Sequence, residues 1–185
     1  GTSSLLETDP RAEPGARILL RPPSGYCTIC RMVGRCEASF ITTTSYGSWL
    51  PGDVRGYVED GVPPPASPPL AAYAATKLKS AAVRFDEGER DALLDSIIAA
   101  AHEFGYRLSD LVVEATHLHW IVAHGDEMET MVGRLKNRLW QRLGRGRIWT
   151  TGYYGRELRN LKGLHDAREY LAQHRGLRML AGEIV

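Results

Sequence analysis

The chain has 185 residues, 43% of them hydrophobic and 24% charged, with 23 Lys and Arg against 22 Asp and Glu. These are globular values, and they predict one domain with a single core of ordinary size. No apolar run approaches the roughly 18 residues of a membrane span. No charged segment followed by an apolar one marks a secretory signal, so a cytoplasmic protein is expected.

Residues 1–35 are rich in Gly, Pro, Ser and charge and show little periodicity. They read as a poorly ordered leader before a domain covering residues 36–180. Cys27 and Cys30 have the spacing that opens a zinc knuckle, with Cys36 as a third thiol, but no fourth ligand lies nearby because the first histidine is His102. Three reduced thiols are the expectation. Residues 40–46, with threonine-rich alternation, predict a first strand. Residues 47–69 form a long loop whose Pro63-Pro64-Pro65 and Pro68-Pro69 exclude regular helix and central strand. A short helix is expected over residues 70–82.

Residues 86–104 give the clearest helix. Asp86 and Glu89 form a capping box, Leu93, Leu94, Ile97, Ile98, Ala101 and Phe104 form the apolar stripe, and Gly105 ends it. Residues 111–123 are apolar and β-branched enough for two strands. A helix then starts near Asp126, where Asp126 and Glu129 are spaced as a capping box, with Met128, Val132, Leu135, Leu139 and Leu143 as its buried stripe. Residues 148–158 read as extended. Residues 164–176 read as a short amphipathic helix with Leu164, Ala167 and Leu171 inward and Gly176 at its end. The order is β-α-β-β-α-β-α, an α+β pattern with a ferredoxin-like antiparallel sheet, packed helices and a terminal helix.

Charge is distributed unevenly. Residues 1–130 carry 11 Lys and Arg against 18 Asp and Glu, whereas residues 131–185 carry 12 against 4. Arg134, Lys136, Arg138, Arg142, Arg145 and Arg147 fall in one stretch without an acid. Arg134, Arg138 and Arg142 line one helix face at i, i+4 and i+8, a pattern that suits a phosphate backbone. A solvated basic face is the plainer alternative, but such faces usually interleave Glu for ion pairing. In the long loop, Tyr46, Trp49 and Arg55 are of the types that stack on unpaired bases. Packing of Trp49 onto the domain is as good a reading.

The chemistry centres on His117-Leu118-His119. Side chains alternate along a strand, so His117 and His119 share a face with Ile121 and Ala123, while Leu118, Trp120 and Val122 face the opposite way. Two imidazoles fixed on a strand make half of a metal site. Downstream, Tyr170 and His174 are i and i+4 and stack on one helix face, with Asp166 four residues before the tyrosine. A tyrosine one turn from a metal ligand suggests a nucleophile beside a cation. His124 alternates to the far face, His102 and His165 read as surface residues, and Tyr153 and Tyr154 are rival nucleophiles in a Gly-flanked extended segment.

Together with Thr44-Ser45-Tyr46-Gly47-Ser48-Trp49-Leu50-Pro51-Gly52-Asp53-Val54-Arg55-Gly56, residues 149–156 and Ala167-Arg168-Glu169-Tyr170-Leu171, these features resemble the single-tyrosine HUH transposases. The likeness is closer to the insertion-sequence-200-like group and its REP-associated tyrosine transposase relatives. It runs from about residue 36 to residue 176 in the same order. The resemblance implies a ferredoxin-like fold, single-stranded DNA as substrate and a covalent 5′-phosphotyrosine intermediate, with His117 and His119 holding metal and Tyr170 as nucleophile. Two positions depart from it. Ala115-Thr116 stand where the family usually has Pro-Asn, and His174, with Gln173 beside it, stands where the third ligand is usually Gln. Histidine can ligate, with a preference moved from Mg²⁺ towards Mn²⁺ or softer ions.

The expected activity is metal-assisted nicking and joining of single-stranded DNA at hairpin-flanked or palindromic sites, with Mg²⁺ or Mn²⁺ as cofactor. Arg134, Arg138, Arg142, Arg145, Trp49 and Arg55 are the expected DNA contacts. One nucleophile per chain calls for a homodimer to make two cleavages. The alternatives are a replication initiator or relaxase, a non-cleaving DNA-binding regulator derived from a transposase, and a small zinc hydrolase. The last finds no Glu or Asp close in sequence on the histidine face.

Overall fold

The computed structural model of the chain describes residues 38–54 and 65–180, the last four as backbone. The leader, Cys27, Cys30, Cys36 and Arg55 lie outside these residues. Among the described residues, five strands, β1 (Ala38–Thr44), β2 (Arg107–Val113), β3 (His117–Ala123), β4 (Tyr154–Leu158) and β5 (Leu177–Leu180), form one sheet in the order β4-β1-β3-β2-β5. Every neighbouring pair is antiparallel. The first four strands have the ferredoxin-like order expected from the sequence. The last element is a strand, not the terminal helix expected, and it adds to the edge beside β2.

Among the described residues, four helices accompany the strands: α1 (Pro68–Thr76), α2 (Glu87–Glu103), α3 (Met128–Leu143) and α4 (Leu161–Ala172). Pro68-Pro69 do not exclude helix. They open α1 in its first turn, where a missing N–H costs nothing, and that helix stops at Thr76 short of the expected residue 82. The capping box at the start of α2 is present, with Asp86 accepting from the Glu89 N–H and the Glu89 carboxylate accepting from the Asp86 N–H. The box expected at Asp126 is absent. Glu127 caps α3 without a side-chain bond, and the Asp126 carboxylate is taken by the Tyr106 hydroxyl and Arg134.

The strand alternation divides the core in two. Ile41, Leu111, Val113, Leu118, Trp120 and Val122 point to one face and pack against Leu93, Leu94 and Ile97 of α2 and Met131, Val132, Leu135 and Leu139 of α3. On the other face, Ala38, Phe40, Val112, Ile121 and Leu158 meet Leu164, Ala167 and Leu171 of α4. Burial of Leu164 and of Leu171 contributes about 2 kcal/mol each. Arg168 adds a polar clamp: its Nε donates to Asp110 Oδ2 at 2.9 Å and its terminal amine to Ser109 Oγ at 2.7 Å. A single amphipathic helix therefore covers the face of the sheet that carries His117 and His119.

Candidate metal centre and nucleophile

His119 lies at the middle of the covered face, opposite Thr42 on β1 and Val112 on β2. It is 2% exposed. Thr42 Oγ1 stands 2.8 Å from its Nδ1, and its Nε2 is buried without a hydrogen-bond partner among the described residues. An orphaned buried ring nitrogen is costly unless it serves another purpose. Burial pushes the imidazole pKa down to about 2, with repulsion from His117 and then His174 adding to it. The ring is therefore neutral, the form that binds metal.

His117, two residues earlier, has Nδ1 3.1 Å from Thr116 Oγ1. His174 comes from the opposite side, after α4. The helix ends at Ala172 with Gln173 as its cap, so His174 belongs to the turn that follows and not to the helix expected to run to Gly176. Its ring centroid lies 4.5 Å from that of His119 and 5.4 Å from that of His117. One nitrogen from each of the three rings falls within 4.8 Å of the others. Three imidazole nitrogens at that spacing, one of them orphaned, fit a divalent transition-metal ion. Gln173 is exposed.

Tyr170 stands next to this cluster. Its ring is 5.4 Å from His119 and 5.0 Å from His174, with Phe40 edge-on at 5.8 Å beneath it. The residue is 45% exposed. Partial burial, then the neighbouring Tyr154, raise its pKa above the ordinary tyrosine value. Asp166 is no base for it: the Lys162 ammonium donates to its carboxylate at 2.8 Å and holds its pKa low. Of the rival tyrosines, Tyr154 is on the same face as the centre, opposite Thr42 in register. Tyr153 borders Gly155 on the side of Ile41 and Met128, the other face.

The remaining expected residues are scattered. Trp49 is half-buried against the edge of His117, with ring centroids 6.5 Å apart. Tyr46 is buried and accepts from the Lys79 N–H, so it offers no face to a base. His124 meets Ser39 and the Asp126 carbonyl, away from the cluster, and His102 and His165 are exposed. Arg134, Arg138 and Arg142 are on α3, across the sheet from Tyr170. Three of the basic residues have acid partners: Arg134 with Asp126, Arg138 with Glu103 and Arg145 with Glu89. The acids missing from the helix itself come from α2 and the loop before α3.

Sequence reasoning missed Glu114, at the end of β2. Its Oε1 lies 3.7 Å from His174 Nδ1 and accepts the Gly176 N–H at 2.7 Å. Only a contact between segments 62 residues apart reveals it. It also missed Arg156, which lies opposite Phe40 on the face of the centre.

No family model matches the sequence, and no curated protein does. Among solved structures, the chain is similar to the REP-associated tyrosine transposase bound to a REP hairpin, at 14% identity over 82% of this chain and 68% of that one, with a TM-score of 0.46. It is also similar to a structure described as a "putative transposase" from Deinococcus radiodurans R1, at 16% identity over 83% of this chain and 97% of that one, with a TM-score of 0.41. No helix among the described residues is long and apolar enough to cross a membrane.

Proposed function

We propose that this chain is a single-stranded DNA endonuclease and strand transferase of the single-tyrosine HUH transposase type. One observation carries the reading: the half-exposed Tyr170 stands directly beside three converging imidazoles, with ring centroids 5.4 Å from His119 and 5.0 Å from His174. A nucleophile and a cation-binding set can thus reach one scissile phosphate together. Of the two ions expected from the sequence, Mg²⁺ and Mn²⁺, the all-imidazole set of His117, His119 and His174 favours Mn²⁺, and a divalent ion there would supply Lewis-acid polarisation of a non-bridging phosphate oxygen when bound.

The residues supply the rest. Phe40 and the turn of α4 hold the Tyr170 ring over the centre. Tyr170 Oη loses its proton and attacks phosphorus in line. The bond from phosphorus to the 3′ oxygen breaks, that oxygen takes a proton and leaves as a hydroxyl, and the 5′ phosphate remains esterified to the tyrosine. Attack by a second 3′-hydroxyl reverses the exchange without ATP, because the phosphodiester energy is conserved in the ester. The substrate we assign is single-stranded DNA with a hairpin or palindromic repeat, processed by a homodimer.

A second reading is a non-cleaving DNA-binding regulator. It is favoured by the raised pKa of the Tyr170 hydroxyl and by the engagement of Asp166 with Lys162. One experiment separates the two. The protein is mixed with Mn²⁺ and hairpin-bearing single strands labelled at either end. The proposal expects the 3′-labelled fragment to become protein-linked and the 5′-labelled fragment to be released with a 3′-hydroxyl, while Tyr170→Phe binds without cutting. Binding with no adduct under any metal selects the regulator.

A further inference from the structure

We propose that Glu114 is a positioning residue for the third histidine: it fixes the turn that carries His174 and backs the imidazole with a negative charge. The inference deepens the metal-centre reading above and rests on it. His174 stands just beyond α4, which ends at Ala172 with Gln173 as its cap, so its backbone is placed by the turn that leads to Gly176. Its N–H reaches back to the Leu171 carbonyl at 3.2 Å, and two residues further on the Gly176 N–H donates to Glu114 Oε1 at 2.7 Å.

The fit between the two segments is close. A Cβ on Gly176 would come within 2.4 Å of the Val113 carbonyl oxygen and 2.9 Å of the Glu114 carboxyl carbon, so this turn lies on the end of β2 only with glycine there. Glu114 also serves the other side of the centre, since its own N–H donates to the His117 carbonyl at 2.8 Å and closes the turn between β2 and β3. One residue thereby ties the turn bearing His117 to the turn bearing His174.

Its carboxylate matters chemically as well. An imidazole that ligates through a lone pair brings no negative charge to compensate a dication. Glu114 Oε1, 3.7 Å from His174 Nδ1, places a full negative charge behind that ring. Thr42 and Thr116 oxygens stand at the Nδ1 atoms of His119 and His117. The two threonine oxygens are at hydrogen-bond distance, whereas Glu114 at 3.7 Å acts on the third ring through its charge; oxygens behind ligating histidines orient them and strengthen them as donors. A carboxylate-backed set of three imidazoles is suited to Mn²⁺, Co²⁺ or Zn²⁺ more than to Mg²⁺.

The test uses the metals alone. Mn²⁺ and Co²⁺ are titrated calorimetrically into the full chain, Glu114→Gln, Glu114→Asp and His119→Ala, and the visible spectrum of each Co²⁺ form is recorded. Glutamine keeps an oxygen for the Gly176 N–H, so the metal-free melting temperature should be retained. Affinity should fall about 10- to 100-fold, the Co²⁺ band should shift, and Glu114→Asp should recover part of both. Wild-type affinity and spectrum in Glu114→Gln would overturn the role of Glu114 while leaving the centre intact. So would equal losses in the Gln and Asp variants that track a fall in melting temperature, because that pattern belongs to a purely structural anchor. Failure of the wild-type chain to bind either ion would overturn the metal-centre reading itself, and this inference with it.

Discussion

Thr42 and His119 are register partners on neighbouring antiparallel strands, and the threonine Oγ1 stands 2.8 Å from the histidine Nδ1. In the tautomer that donates from Nδ1, Nε2 keeps its lone pair, and it is the ring atom without a partner among the described residues. A hydroxyl on one strand thus sets the coordinating atom of a side chain on the next. Thr42→Val removes the hydroxyl and keeps a β-branched side chain on the strand. Mn²⁺ affinity should fall about tenfold with little change in the metal-free melting curve. Unchanged affinity in a calorimetric titration would mean that packing against Phe40 alone orients the ring.

His174 is one of the two positions at which the sequence departs from the resemblance read in it. Calorimetric titration of Mg²⁺ and Mn²⁺ checks its place in the centre. His174→Ala should lose metal affinity about as strongly as His119→Ala. His174→Gln should bind again with preference moved towards Mg²⁺, because a hard amide oxygen replaces a borderline imidazole. Full binding by His174→Ala would point to the exposed Gln173 or to a centre of two protein ligands.

The buried state of His119 also predicts a pH dependence. Its folded pKa is depressed to about 2, chiefly by burial, whereas an unfolded histidine titrates near 6.5. Between those values the unfolded chain binds one proton more than the folded one. Metal-free stability should therefore be fully present above about pH 6.5 and decline as pH falls towards 2, by up to about 1.4 kcal/mol per pH unit from this residue. Denaturant midpoints of wild type and His119→Leu at pH 7, 5.5 and 4 check it: the variant should lose less stability across that range. Parallel pH profiles would show that His119 is not held neutral.

Much of the fold was legible because local rules decide it. Alternation along residues 117–123 assigned Leu118, Trp120 and Val122 to one core and the histidines to the other face, which is how they lie. Leu164, Ala167 and Leu171 were readable as the seam of α4 from spacing alone. What escaped depends on distant partners. Asp126 is spaced like a cap but is drawn off by Tyr106 and Arg134, and no local rule reports that competition. The end of α4 was misplaced because Gly176 looks like a helix stop, yet its real constraint is close approach to Val113 and Glu114. The four residues of β5 carry no strong alternation of their own, and they pair with β2 across the chain.

The arginine stripe on α3 makes a quantitative case. Arg134 and Arg138 are engaged by Asp126 and Glu103, and the helix lies across the sheet from Tyr170, whereas Arg156 shares the face of the centre. Removing a cation that neutralises one phosphate lowers the salt slope of single-strand binding by about 0.7. Alanine at Arg134, Arg138 and Arg142 together should lower it by less than the roughly 2 expected if all three neutralise phosphates, and Arg156→Ala alone by nearly ~0.7. Isotherms at several salt concentrations check this. A slope change of roughly 2 in the triple variant would move the DNA path onto α3.

The central claim is that Tyr170 is the nucleophile, and its nearest competitor is Tyr154, on the same face and opposite Thr42. The most direct measurement is peptide mapping by mass spectrometry of the covalent product formed with Mn²⁺ and a hairpin-bearing single strand. The account predicts a nucleotide adduct on the peptide containing Tyr170, abolished by Tyr170→Phe and retained in Tyr154→Phe. An adduct on Tyr154 or Tyr153, or one that survives Tyr170→Phe, would contradict it.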